Sequence, residues 1–94
     1  MSKPVLIDHE TIDQALGEGP WARDGDTILL THEFSSFSEG IAFVDQVALL
    51  ADEQDHHPDI DIRYTNVTLR VSTHESGGLT KRDLKLASSV TALL

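Results

Sequence analysis

The apolar positions of this chain change period several times, and each change marks an element. Ile7 and Ile12 stand where a hydrophobic staple closes a helix start, and Asp8 can accept from the free amides of the first turn. Ala15 and Leu16 continue that face, and Gly17 is a natural stop. The stretch GEGPWARDGD is rich in turn formers around a short segment holding Trp21, and its Asp24-Gly25 pair predicts a hairpin. TILLTHEF then alternates, with Ile28, Leu30 and Phe34 on one side and Thr27, Thr31 and Glu33 on the other. His32 interrupts the apolar side.

A helical period takes over in SFSEGIAFVDQVALLADEQ. Ser36 and Glu39 form a capping-box pattern, and Phe37, Ile41, Val44, Val47, Ala48 and Ala51 recur along one face. Phe43 and Leu50 broaden that face, which predicts contacts beyond one sheet, including with another subunit; Asp45, Asp52 and Glu53 lie opposite. Strict alternation returns over residues 59–65, where Ile60, Ile62 and Tyr64 oppose Asp59, Asp61 and Arg63. It returns again over 67–73, where Val67, Leu69 and Val71 oppose Thr68, Arg70 and Ser72. The last segment opens at Gly77-Gly78, has Thr80 as N-cap between Leu79 and Leu84, and carries Leu86, Val90 and Leu93 on one face. The element order is αββαββα. It predicts an α+β fold in which a four-stranded antiparallel sheet presents one apolar face to three helices packed on the same side.

Composition narrows the chemistry. At 94 residues the chain reads as one domain spanning 1–94, with a core small enough to gain stability from oligomerisation. A formal net charge of −9, from 7 Lys and Arg against 16 Asp and Glu, repels nucleic acid and anionic membranes. The absence of cysteine excludes disulfides, thiolate nucleophiles and Cys-based zinc sites. No apolar run approaches the roughly 20 residues that cross a bilayer, so the expectation is a soluble cytoplasmic protein.

Three of the five histidines, His56, His57 and His74, lie at the outer ends of the strand pair, which a tight turn would bring together. Imidazole both donates and accepts protons near neutrality, so such a cluster suits general acid–base work. Pro58 restricts His57 to an extended conformation, in which neighbouring side chains point apart, and that argues against a metal site built on the pair. Spacing alone does not choose between catalysis and a structural corner. Asp83 falls three residues after Thr80, where capping by itself accounts for it. Trp21 suits a core or pocket wall, and His9 and His32 suit ordinary surface or structural positions.

Taken together, Asp52, His56-His57-Pro58, Tyr64, His74 and Asp83, with Asn66, Val67, the run THESGGLTKRD and Leu86-Ala87, resemble the pterin-4a-carbinolamine dehydratase family. That family is also known as the dimerisation cofactor of a homeodomain transcription factor. Every spacing of its pattern is met, and EFSSFSEGIAFVDQVALLAD and Trp21 extend the similarity to about residues 20–92. The resemblance implies a lyase that dehydrates 4a-hydroxytetrahydropterin to quinonoid dihydropterin, with pterin as substrate and no metal or organic cofactor. It implies His56 and His74 as the acid–base pair, His57 as a catalytic residue that mainly binds and orients pterin, and Asp83 as the group orienting a histidine. Asp52, Trp21, Ser72 and Thr73 complete the implied substrate-binding set, and the implied assembly is a homodimer or homotetramer. Ile60 departs from the family, since animal relatives resemble a tryptophan there, and leaves the preferred pterin side chain open. The alternative is a non-catalytic interaction or assembly module of the same fold that docks through the apolar helix around Phe43. Some relatives lost the histidines on that route, whereas this chain keeps them.

Overall fold

The computed structural model describes residues 3–94. Its elements are α1 (His9–Leu16), β1 (Ala22–Asp24), β2 (Thr27–Glu33), α2 (Phe37–Gln54), β3 (Asp59–Arg63), β4 (Asn66–Val71), a single 3-10 turn (His74–Ser76) and α3 (Lys81–Thr91). The helix starts follow their caps. Asp8 accepts from the Thr11 amide at 2.7 Å to open α1, and Ser36 accepts from the Glu39 amide at 3.1 Å to open α2. At α3 the box is reciprocal: Thr80 accepts from the first turn while the Asp83 carboxylate accepts from the Thr80 amide at 2.8 Å. In α2 only half the box forms, because the Glu39 carboxylate takes the Ser35 hydroxyl instead.

The strands form one antiparallel sheet in the order β1-β2-β4-β3. Register pairs Ile28 with Val71, Leu30 with Leu69, Ile60 with Leu69 and Ile62 with Val67, so these side chains share a face. All three helices cover that face: Ile12, Phe43, Val47, Leu86, Ala87 and Val90 form one buried cluster with Ile28, Leu30, Val67, Leu69 and Val71. The opposite face is polar, with Thr31 and Thr68 paired across β2 and β4 through their hydroxyls at 2.9 Å. Helix α1 is tied to the β1 edge by a two-pronged ion pair, Arg23 Nε and Nη2 to the Asp13 carboxylate at 2.7 and 3.0 Å. No helix among the described residues is long and apolar enough to cross a membrane.

Four details differ from the sequence pattern. The buried face of α2 is centred on Gly40, Phe43, Val47 and Ala51, whereas Phe37 is 49% exposed and Ala48 also faces out. Phe43 therefore packs inside, 5.0 Å from the Phe34 ring, and the apolar surface α2 leaves open is instead Phe37 and Leu49. β3 stops at Arg63, because Tyr64 adopts a left-handed φ of 51° and forms the hairpin turn with Thr65. The chain after Val71 leaves the sheet for the 3-10 turn, and Leu93 lies past the end of α3, partly exposed.

A core on one side of the sheet makes the two faces unequal. Leu69→Ala, which empties a fully buried site, is expected to cost about 2–5 kcal/mol in denaturant unfolding. Thr31→Ala on the polar face is expected to cost about 0.2–1 kcal/mol, and equal losses would contradict this architecture. The Arg23 guanidinium bonded to Asp13 holds that carboxyl below its usual range. A folded-state pKa depressed in this way stabilises above the unfolded value and loses its effect as pH falls through the folded one. Asp13→Asn is therefore expected to weaken the fold at neutral pH, and by less as the pH falls through and below the ordinary aspartate range, read from unfolding curves across that range.

Candidate functional site

The site begins where α2 ends. Asp55 takes a left-handed φ of 50°, which a short polar side chain tolerates, and the Asp55 and His56 amides turn back to carbonyls of the last helical turn. This reversal sends His56, His57 and Pro58 across the end of the sheet in extended form. The two imidazoles consequently diverge. His56 points inward and is 9% exposed, while His57 points outward with its Nε2 2.9 Å from the Asp52 carboxylate, one turn back on α2.

Inside, His56 Nε2 meets Asp83 Oδ1 at 2.6 Å, and Asp83 is 0% exposed. The other carboxylate oxygen accepts from the Thr80 amide and from the Thr73 hydroxyl, each at 2.8 Å. Because the Thr73 proton is spent on Asp83, the Thr73 oxygen accepts from the Thr80 hydroxyl at 2.8 Å, and the Thr80 oxygen accepts in turn from the Arg82 amide at 3.2 Å. Every group in this buried chain has a partner, the condition under which a polar network in a core is rigid and not a liability. Since a carboxylate only accepts, the His56 ring proton sits on Nε2, which leaves the Nδ1 lone pair for other partners in the neutral ring.

The third histidine arrives from β4. Leaving the sheet at Val71, the chain passes Ser72 and Thr73 and turns through His74–Ser76 so that His74 shares an open cleft with His56 and His57. The cleft has a volume of about 350 Å³ and is also lined by Ser72, Thr73, Asp55, Glu75 and Arg82. Asp83 lies beneath it and reaches it through His56, and Asp52 stands beside it, bonded to His57. Trp21 is not brought there. It lines a different groove, near Leu16 and Leu84, where it is 5% exposed and its Nε1 donates to the Thr91 hydroxyl at 3.0 Å.

Three cleft residues carry no clear signal in the sequence. Asp55 lies between the helical and the extended pattern without belonging to either, and Glu75 and Arg82, which form an ion pair at 2.8 Å, are joined through a loop whose shape local spacing does not specify. Among the described residues no group of three or more His, Cys, Asp or Glu side chains is arranged to hold a metal ion. The cleft thus offers imidazoles in unequal settings. One is buried and held by a carboxylate, one is exposed and held by a carboxylate, and one is carried on a short turn; such a set can give and take protons at neighbouring positions.

Comparison with known proteins gives the family of the chain. The family described as pterin 4 alpha carbinolamine dehydratase matches residues 5–93. A protein of Thermomicrobium roseum that bears the provisional name pterin-4-alpha-carbinolamine dehydratase is 49% identical over 93% of this chain and 95% of its own length. A similarly named protein of Halobacterium salinarum is 44% identical over 86% and 88%. The crystal structure of a transcriptional coactivator/pterin dehydratase from Brucella melitensis superposes with a TM-score of 0.87 at 29% identity, covering 93% of this chain and 96% of that one. A pterin dehydratase-like protein identified as a RuBisCO assembly factor in the alpha-carboxysome has the same fold at a TM-score of 0.67 and 25% identity, over 81% and 90%. With a match spanning nearly its whole length and relatives this similar end to end, the chain belongs to the pterin 4 alpha carbinolamine dehydratase family.

Proposed function

We propose that this chain is a 4a-hydroxytetrahydropterin dehydratase that works by histidine acid–base catalysis. The observation that carries the reading is the His56–Asp83 pair, buried at the floor of a cleft that also holds His57 and His74. In the reaction the C4a–O bond breaks, the hydroxyl leaves as water with a proton delivered by an acid, and the proton on ring nitrogen N5 passes to a base, giving quinonoid dihydropterin. Two imidazoles at separate points of one cleft suit those two transfers. His56 and His74 take them, with Asp83 fixing the His56 ring through Nε2 and leaving its second nitrogen for the transfer. His57, exposed and held by Asp52, binds and orients the pterin ring, and Ser72 and Thr73 line its path. The Thr73 hydroxyl is itself engaged with Asp83 and Thr80. Trp21 supports the core from another face and lies outside this set.

We place the enzyme in the cytoplasm and propose a homodimer or homotetramer, an assembly supported by the exposed apolar side chains Phe37 and Leu49 on α2 and Ile60 on the edge strand β3. The same surface favours the second reading, an assembly module. Its earlier marker, Phe43, cannot separate the two because it is buried, so Leu49→Asp is the substitution that tests docking.

His56→Ala and His74→Ala are each expected to lower the dehydration rate by at least about tenfold and by up to about 10,000-fold, measured by stopped-flow absorbance on freshly generated carbinolamine. His57→Ala is expected to raise KM more than it lowers kcat. A wild-type rate no faster than buffer contradicts the proposal, and retained activity in both His56→Ala and His74→Ala removes these residues from the chemistry.

A further inference from the structure

His74 is held differently from the two histidines it accompanies. His56 has Asp83 and His57 has Asp52, but no hydrogen bond to the His74 ring is found among the described residues. Its place is set by the backbone of the 3-10 turn. That turn is closed by the Thr73 amide donating to the Gly78 carbonyl at 2.8 Å and the Gly77 amide donating to the Thr73 carbonyl at 3.0 Å. A single 3-10 turn has few bonds of its own, so whatever it leans on decides where the ring stands.

It leans on the segment ahead of α1. The Ser76 hydroxyl donates to the Pro4 carbonyl at 2.6 Å, and the Ile7 amide donates to the Leu79 carbonyl at 2.8 Å. Further along, His9 Nε2 lies 2.8 Å from Asp26 Oδ1 in the β1–β2 turn, which anchors the far end. The crossing is close: a Cβ on Gly78 would stand 3.0 Å from Leu6 Cδ2. Apolar anchoring is confined to Ile7, which packs against the core, since Val5 is 83% exposed and Leu6 54%. A cavity of about 390 Å³ also separates Pro4, Val5 and Ile7 from the first turn of α3. The segment is therefore attached by one apolar side chain, Ile7, and by discrete hydrogen bonds, of which Ser76–Pro4 is the one that reaches the turn itself. On the other flank the turn is met by the Arg82–Glu75 ion pair.

We propose that residues 4–9 are a positioning strap for His74, acting through the Ser76–Pro4 and Ile7–Leu79 hydrogen bonds to hold the turn that aims the imidazole into the cleft. The strap touches no reacting atom, and its effect on rate rests on the acid–base role of His74. Loosening it lets the turn drift, and a displacement of about 1 Å in a positioned group is enough to cost about 100-fold in rate.

The test is Ser76→Ala in the full chain, which removes the donor to Pro4. One lost hydrogen bond is expected to lower kcat about three- to tenfold, with Ser76→Thr restoring it. Placed in a His74→Ala chain, Ser76→Ala is expected to change nothing further, whereas a general loss of folded protein would lower the rate in both backgrounds. Amide exchange read without substrate is expected to quicken at Thr73 and Gly77 and to stay the same at Val47 in α2. Unchanged exchange at the turn overturns the strap itself. Equal rate losses in both backgrounds overturn its action through His74. Faster turn exchange in a protein whose wild type shows no dehydratase activity would uphold the strap and overturn the dehydratase reading.

Discussion

A carboxylate wholly removed from water persists only if donors converge on it, and Asp83 is met by three: the His56 ring, the Thr80 amide and the Thr73 hydroxyl. Leaving such a charge unpaired costs several kcal/mol, so the positions of all three partners are set by the stability of the fold. The same oxygens therefore start α3, fasten the end of β4 and fix the ring of His56. The site inherits its geometry from a contact that the fold itself needs.

That contact explains why the cleft lies at one end of the sheet. Helix α2 ends there and reverses at Asp55, β4 leaves the sheet there at Val71, and α3 begins there at Lys81. Each element delivers one part of the site: the histidine pair, the His74 turn, and Asp83 with Arg82. Pro58 keeps the segment before β3 extended, so the adjacent imidazoles separate into a buried one and an exposed one. Two side chains one residue apart thereby enter different surroundings and are suited to different work.

Much of this was legible in the sequence because local physics writes it there. The alternation through Ile28 and Leu30 and through Val67, Leu69 and Val71 marks strands with one buried face, and Thr80 with Asp83 marks a helix start. The gathering of His56, His57 and His74 followed from a tight turn between two strands. What local pattern could not specify was orientation. Helix α2 is apolar around much of its circumference, so periodicity alone could not decide that Phe43 faces the core and Phe37 the solvent. Alternation ran on past Arg63 into Tyr64 although the chain turns there. Trp21 sits among glycines and a proline that leave its direction unspecified, and it went to the α3 groove instead of the cleft. The Glu75–Arg82 pair was invisible for the same reason, since it closes across a loop.

The central claim is that His56 and Asp83 act as one unit, and the dehydration rates of His56→Ala, Asp83→Asn and the double variant test it most directly. Asp83→Asn keeps the shape of the side chain but weakens its hold on the imidazole. Residues that work as a unit lose their effect together, so the double variant is expected to be no slower than His56→Ala alone. Losses that multiply in the double variant would contradict the account, because they would mean that Asp83 contributes to the rate by a route that does not pass through His56.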